Sequence, residues 1–192
     1  DDGFAAYIEP LAKEQAVKGL RQVLHGSTPA GYCLRDGFVR GVRKLGELGL
    51  SFDLCMRHAE LPDGAKLIQA APGTAFVLDH CGNPPVFGDL TAWKRDIDRI
   101  AALPNVVGKV SGIVSQAKDR SWKPDDLAPV VRHMLDAFGP DRVLFGGDWP
   151  VCTLGAPLKD WEDALAQIVA DLPEDRRRKL LHDNAIRAYR LS

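Results

Sequence analysis

Polar side chains able to do chemistry recur where short apolar runs end. Arg21 and His25 close KGLRQVLH, Arg57-His58 close LSFDLCMRH, Asp79-His80 close AFVLDH, Lys109 and Ser111 close NVVGKVS, and Asp148 closes VLFGGD. A carboxylate can act as general base on water or bind a divalent ion, and a neutral imidazole can ligate metal or relay a proton. Asp148, after Gly146-Gly147, is the sharpest of these signals, and with His80 it suggests a hydrolytic site. Each residue also has a plainer reading. Arg21 would suit an ion pair with Asp53, which lies deep and reads as structural. Arg57 fits either role, His58 falls on the opposite face as a loop residue, and His25 falls at the turn His25-Gly26-Ser27. Lys109 is costly to bury unpaired, so it needs a function or a partner. His133 reads as a surface residue and His182, before Asp183-Asn184, as part of a helix cap. Arg176–Lys179 reads as a solvated helix face and not as a nucleic-acid patch.

The elements that must position these groups alternate. The sequence predicts strands at Lys18–Leu24, Leu50–Arg57, Ala75–His80, Asn105–Ser111 and Val143–Asp148. It predicts helices at Phe4–Lys13, Asp36–Leu48, Thr91–Leu103, Asp125–Phe138 and Leu158–Ala170, with a last helical region opened by Pro173. Strand–helix alternation implies a parallel sheet with crossover helices, either a doubly wound open sheet or a (β/α)8 barrel. The repeat averages about 31 residues, the value for a barrel of ~250 residues. By that measure 192 residues hold about six units. Side-chain alternation turns Leu50, Phe52, Leu54 and Met56 toward the helices. It turns Arg21, Asp53, Cys55, Arg57, Lys109, Ser111 and Asp148 toward the other face, and leaves Asp79 and His80 undecided. Both architectures carry their sites at the carboxyl ends of the strands.

Composition excludes other classes. Hydrophobic residues make up 45% and charged residues 27%, with a net charge of −1. That is ample material for a core and no basic excess for nucleic acid or a membrane surface. No apolar run approaches the ~20 residues of a membrane span. Cys33, Cys55, Cys81 and Cys152 form no CxxC pair, which argues against a zinc ribbon. They read as buried thiols of a reducing, cytoplasmic compartment.

Three segments carry a family resemblance: VLDHCGNP (77–84), LPNVVGKVSG (103–112) and FGPDRVLFGGDWP (138–150). Together they resemble the amidohydrolase superfamily, in its amidohydrolase-related branch of TIM-barrel metal-dependent hydrolases, and within it the sugar-lactone and muconolactone-type lactonases. KGLRQVL and FDLCMR resemble that family's fourth and fifth strands, and HDNA (182–185) its C-terminal helix junction. The resemblance implies a (β/α)8 barrel present as about strands 4 to 8, with residues 1–192 as one domain lacking strands 1–3. It implies His80 as the sixth-strand histidine and Asp148 as the eighth-strand general base, both also metal ligands. Arg21, Arg57 and Lys109 would anchor the substrate, and Trp149 would wall the pocket. The cofactor would be a divalent metal such as zinc, or none. The implied reaction is hydrolysis of a small-molecule lactone, with no nucleic-acid or membrane partner. Alternatives are a decarboxylase of the same fold, a Schiff-base enzyme using Lys109 with glycine phosphate cradles, or an inactive fragment. The family's His-x-His pair does not occur in this sequence, so the expectation is a fragment of a longer coding sequence or a remodelled domain.

Overall fold

A computed structural model of the protein describes residues 3–117 and 121–191. Five strands form one sheet: β1 Gly19–Leu24, β2 Ser51–Met56, β3 Phe76–Leu78, β4 Val106–Val110 and β5 Val143–Phe145. All neighbouring pairs are parallel and the spatial order is β1-β2-β3-β4-β5. A doubly wound sheet reverses its strand order partway, whereas a barrel adds each strand beside the last. The unreversed order therefore decides between the two architectures in favour of barrel-type winding. Among the described residues the outer edges of β1 and β5 have no strand partner.

Helices α1 Phe4–Ala12, α2 Asp36–Glu47, α3 Leu61–Ala70, α4 Thr91–Ala101, α5 Pro124–Phe138 and α6 Leu158–Ile168 accompany the strands. The sequence reading missed α3. Pro62 and Gly64 look like breakers, yet Pro62 sits in the first turn, where its missing N–H costs nothing. Gly64 lies where a Cβ would come 2.7 Å from Met56 Sδ, so glycine lets α3 approach β2. The core lies between sheet and helices, as the alternation requires. Phe52, Leu54, Met56, Phe76, Leu78, Val106, Val110 and Val143 are all buried. Phe38, Phe52 and Phe76 make successive edge-to-face contacts at 5.7 and 6.1 Å.

The C-terminal region and α5 each correct one expectation. Helix α7 (Glu174–Arg178) runs through a π-helical segment, Lys179–Asp183, into α8 (Asn184–Tyr189). His182 is thus inside a continuous helical run, bonded to Asp183 at 2.8 Å, and caps nothing. The anchoring residue of that motif is Asn184, buried and donating to the carbonyls of Pro140 (2.9 Å) and Val143 (2.7 Å). His133 is not a plain surface residue. Its ring lies 5.2 Å from that of Trp93, and its Nε2 is 3.0 Å from Asp98.

Candidate active site

The lumen face of the sheet carries a row of charges. Asp53 on β2 and Lys109 on β4 point the same way, and Asp79 follows β3 in the same parity. Lys109 Nζ donates to Asp53 Oδ2 at 2.9 Å and to Asp79 Oδ1 at 2.6 Å. Arg21 Nη1 on β1 reaches Asp79 Oδ2 at 3.4 Å. Tyr189 on α8 donates its hydroxyl to Asp53 at 2.7 Å and places its ring 5.2 Å from Lys109 Nζ. Arg21 therefore pairs with Asp79 and not with Asp53 as the sequence suggested. Burial opposes the Lys109 charge, but Asp79 and Asp53 outweigh it and hold the ammonium charged well above the ordinary lysine range. The two ion pairs of Lys109 argue against the Schiff-base alternative, which needs a neutral amine. Arg21 is likewise held charged, with Asp79 overcoming the opposing effect of burial.

The expected strands ending at His80 and Asp148 stop early, at Leu78 and Phe145. Both residues reach the site by backbone conformation instead. His80, Cys81, Gly82 and Asn83 all have positive φ (52°, 52°, 68° and 50°), and Asp148 has φ 54°. A non-glycine residue pays about 1–2 kcal/mol for that conformation. Tertiary bonds hold the turn: Asn83 Nδ2 donates to Met56 O at 2.8 Å and Trp93 Nε1 to Cys81 O at 2.8 Å. The left-handed turn resolves the ambiguity left by parity, because it lets Asp79 and His80, adjacent in sequence, both serve the lumen face.

His80 Nδ1 lies 2.8 Å from Ser111 Oγ, and His80 Nε2 lies 3.8 Å from Asp148 Oδ1. Burial lowers the His80 pKa despite the opposing pull of Asp148, and so favours the neutral ring. Burial likewise raises the Asp148 pKa against the effect of His80 and Arg21. Cys55 Sγ, an Asp79 oxygen and a His80 nitrogen lie within 4.8 Å of one another. Asp79 is already engaged by two cations, and burial with the Asp79 charge pushes the Cys55 thiol up to about 11. As a metal cluster this trio fits poorly, because a ligating thiol must lose its proton.

Two expected substrate contacts are committed elsewhere. Arg57 donates to Leu24 O at 3.3 Å and Thr28 O at 2.7 Å, with Glu60 3.7 Å away, and so braces the loop after β1. Lys109 is spent on its two carboxylates. Trp149 stands beside Asp148 with 71% of its surface exposed. His25 is exposed in the turn after β1, and His58 is exposed with Nδ1 3.0 Å from Asn83 O. The sequence reading missed Tyr189. Its position near the chain end gave no signal, and only the return of α8 beneath the sheet brings it to Asp53.

Barrel-type parallel winding, with an imidazole and a carboxylate at the carboxyl ends of its strands, defines an α/β protein built like the TIM-barrel hydrolases. The chain belongs to the amidohydrolase family, whose model, described as "Amidohydrolase", matches residues 1–191. It is 32% identical over 194 residues to an L-fucono-1,5-lactonase of Burkholderia multivorans, covering 91% of this chain and 63% of the relative. It is 30% identical over 193 residues to an L-fucono-1,5-lactonase of Burkholderia ambifaria, covering 97% of this chain and 66% of the relative. A crystal structure of an amidohydrolase from Burkholderia multivorans with bound zinc superposes with a TM-score of 0.88 at 29% identity. That match covers 97% of this chain and 69% of the other. The chain thus spans less than two thirds of the length of these two lactonases.

Proposed function

We propose that this chain carries the hydrolytic face of a lactonase, an enzyme that opens a small lactone by hydrolysis of its ester bond. The observation that carries the proposal is the pairing of His80 with Asp148 at 3.8 Å above a charge-balanced floor. The lactonase names of the relatives support the choice of substrate. Asp148 takes a proton from water as the oxygen attacks the lactone carbonyl carbon. With no ion bound, His80 in its Nε2–H tautomer, on the same side of the site, would donate to the carbonyl oxygen as charge builds there. The ring C–O bond then breaks and Asp148 returns the proton to the departing alkoxide. A carboxylate whose pKa is raised by burial is a stronger base than an exposed one, which suits this exchange. Arg21, half-exposed over the floor, is the cation left with a free edge for substrate oxygens.

His80 Nε2 and Asp148 Oδ1 are close enough to ligate one divalent ion together, so they fit as part of a metal centre such as zinc. A bound ion would polarise the carbonyl and acidify water. Catalytic zinc sites take three protein ligands, so this pair would be two of the set. The proposal extends to the whole unit: residues 1–192 represent about strands 4 to 8 of such a barrel and work on a small molecule.

The test is a panel of sugar-acid lactones offered to the polypeptide carrying these residues, followed by pH-stat with and without added zinc. Base uptake proportional to enzyme supports the proposal. Release of carbon dioxide from aromatic acids with no lactone turnover would point to the decarboxylase alternative instead.

A further inference from the structure

The imidazole of His80 is held from one side by residues that cannot touch substrate themselves. Ser111, just past the end of β4, is 1% exposed and its hydroxyl lies 2.8 Å from Nδ1. The next residue, Gly112, has φ 69°, and a Cβ there would fall 2.6 Å from Nδ1 and 3.0 Å from the His80 Cβ. The ring therefore packs onto bare backbone, and a side chain at 112 would displace it. On the opposite edge, Nε2 faces Asp148. His80 itself has φ 52°, so the backbone that presents the ring is also fixed. A neutral imidazole has one N–H and one lone pair, and a hydroxyl can complement either.

We propose that Ser111 is a positioning residue for His80: its hydroxyl engages Nδ1 and, with Gly112 beneath the ring, makes Nε2 the nitrogen that meets the substrate side of the site. Without that bond, neither tautomer is fixed and the proton can move between the two ring nitrogens. The partner of the ring nitrogen facing away from the reaction sets both tautomer and orientation. The functional meaning rests on reading His80 and Asp148 as the reacting pair, but the geometry does not need a lactone to be tested.

The test is long-range ¹H–¹⁵N correlation of the histidine rings in the 192-residue chain. The sequence holds five histidines, and the His80 signals are assigned by their loss in His80→Gln. In the wild-type chain His80 should show one unaveraged tautomer. In Ser111→Ala the Nδ1 resonance should shift and the two nitrogens should move toward averaged positions. The indole signals of Trp93 and Trp161 should stay in place as the check on folding. Averaged tautomers in the wild-type chain would overturn the inference, even if Ser111→Ala does not fold. Unchanged His80 nitrogen shifts in a folded Ser111→Ala would overturn it equally. Neither result depends on turnover, so failure of the lactonase proposal and failure of this inference are read apart.

Discussion

Replacing Lys109 with Met should expose how much of the fold depends on the charged floor. Lys109 bridges two carboxylates of the lumen face, Asp53 and Asp79, at 2.9 and 2.6 Å. Methionine keeps the length of the stem and removes the charge. Asp53 would keep the Tyr189 hydroxyl at 2.7 Å. Asp79, fully buried, would keep Arg21 at 3.4 Å, and that guanidinium is half in solvent. Removing one partner of a buried ion pair costs about 3–5 kcal/mol, chiefly because the remaining charge is stranded. With a urea slope of about 2–3 kcal/mol/M, the midpoint should fall by roughly 1–2 M. The assay is urea denaturation followed by tryptophan fluorescence and circular dichroism. The double variant Lys109→Met/Asp79→Asn should recover part of the loss, because the stranded charge is gone. A Lys109→Met variant within about 1 kcal/mol of the wild type, the worth of a surface pair, would refute the reasoning.

Tyr189→Phe removes one hydrogen bond to a carboxylate and should lower stability by about 1.5–3 kcal/mol by the same denaturation assay. Gly155→Ala should destabilise by about 1–3 kcal/mol, since its Cβ would fall 1.8 Å from Val114 O and the backbone must move; calorimetry measures it. The four cysteines are buried, and burial pushes Cys81 to about 12 and Cys33 to about 11. Ellman's reagent at pH 8 should therefore label Cys33, Cys55 and Cys81 in the folded chain at least about a hundredfold more slowly than a free thiol, whose pKa is near 8.5, and label all four cysteines on unfolding.

Much of this architecture was legible because its strands obey a simple rule. Phe52, Leu54 and Met56 face the helices while Asp53 and Cys55 do not, and period-2 alternation states this directly. The same rule put Arg21, Lys109 and Ser111 on the lumen side. It failed where backbone conformation replaced strand geometry. No periodicity announces that His80 and Asp148 sit at positive φ, so the sequence pattern runs both strands past their true ends at Leu78 and Phe145. Pairing was the other blind spot. Arg21 with Asp79, Lys109 with two carboxylates and Arg57 with loop carbonyls depend on register between strands far apart in sequence. Tyr189 depends on the docking of α8, which local sequence does not encode. Helix α3 carries a proline and a glycine, and only its observed start makes Pro62 a first-turn residue.

The measurement that bears most directly on the His80–Asp148 pair is lactone hydrolysis in H₂¹⁸O by the polypeptide carrying these residues, with wild type and Asp148→Asn compared at saturating lactone. The expected result is label in the product carboxyl group and a fall in kcat of about 10²- to 10⁴-fold in the variant, the range for loss of a general base. Turnover by Asp148→Asn at the wild-type rate would contradict the assignment of Asp148 as the base, and with it the proposed mechanism.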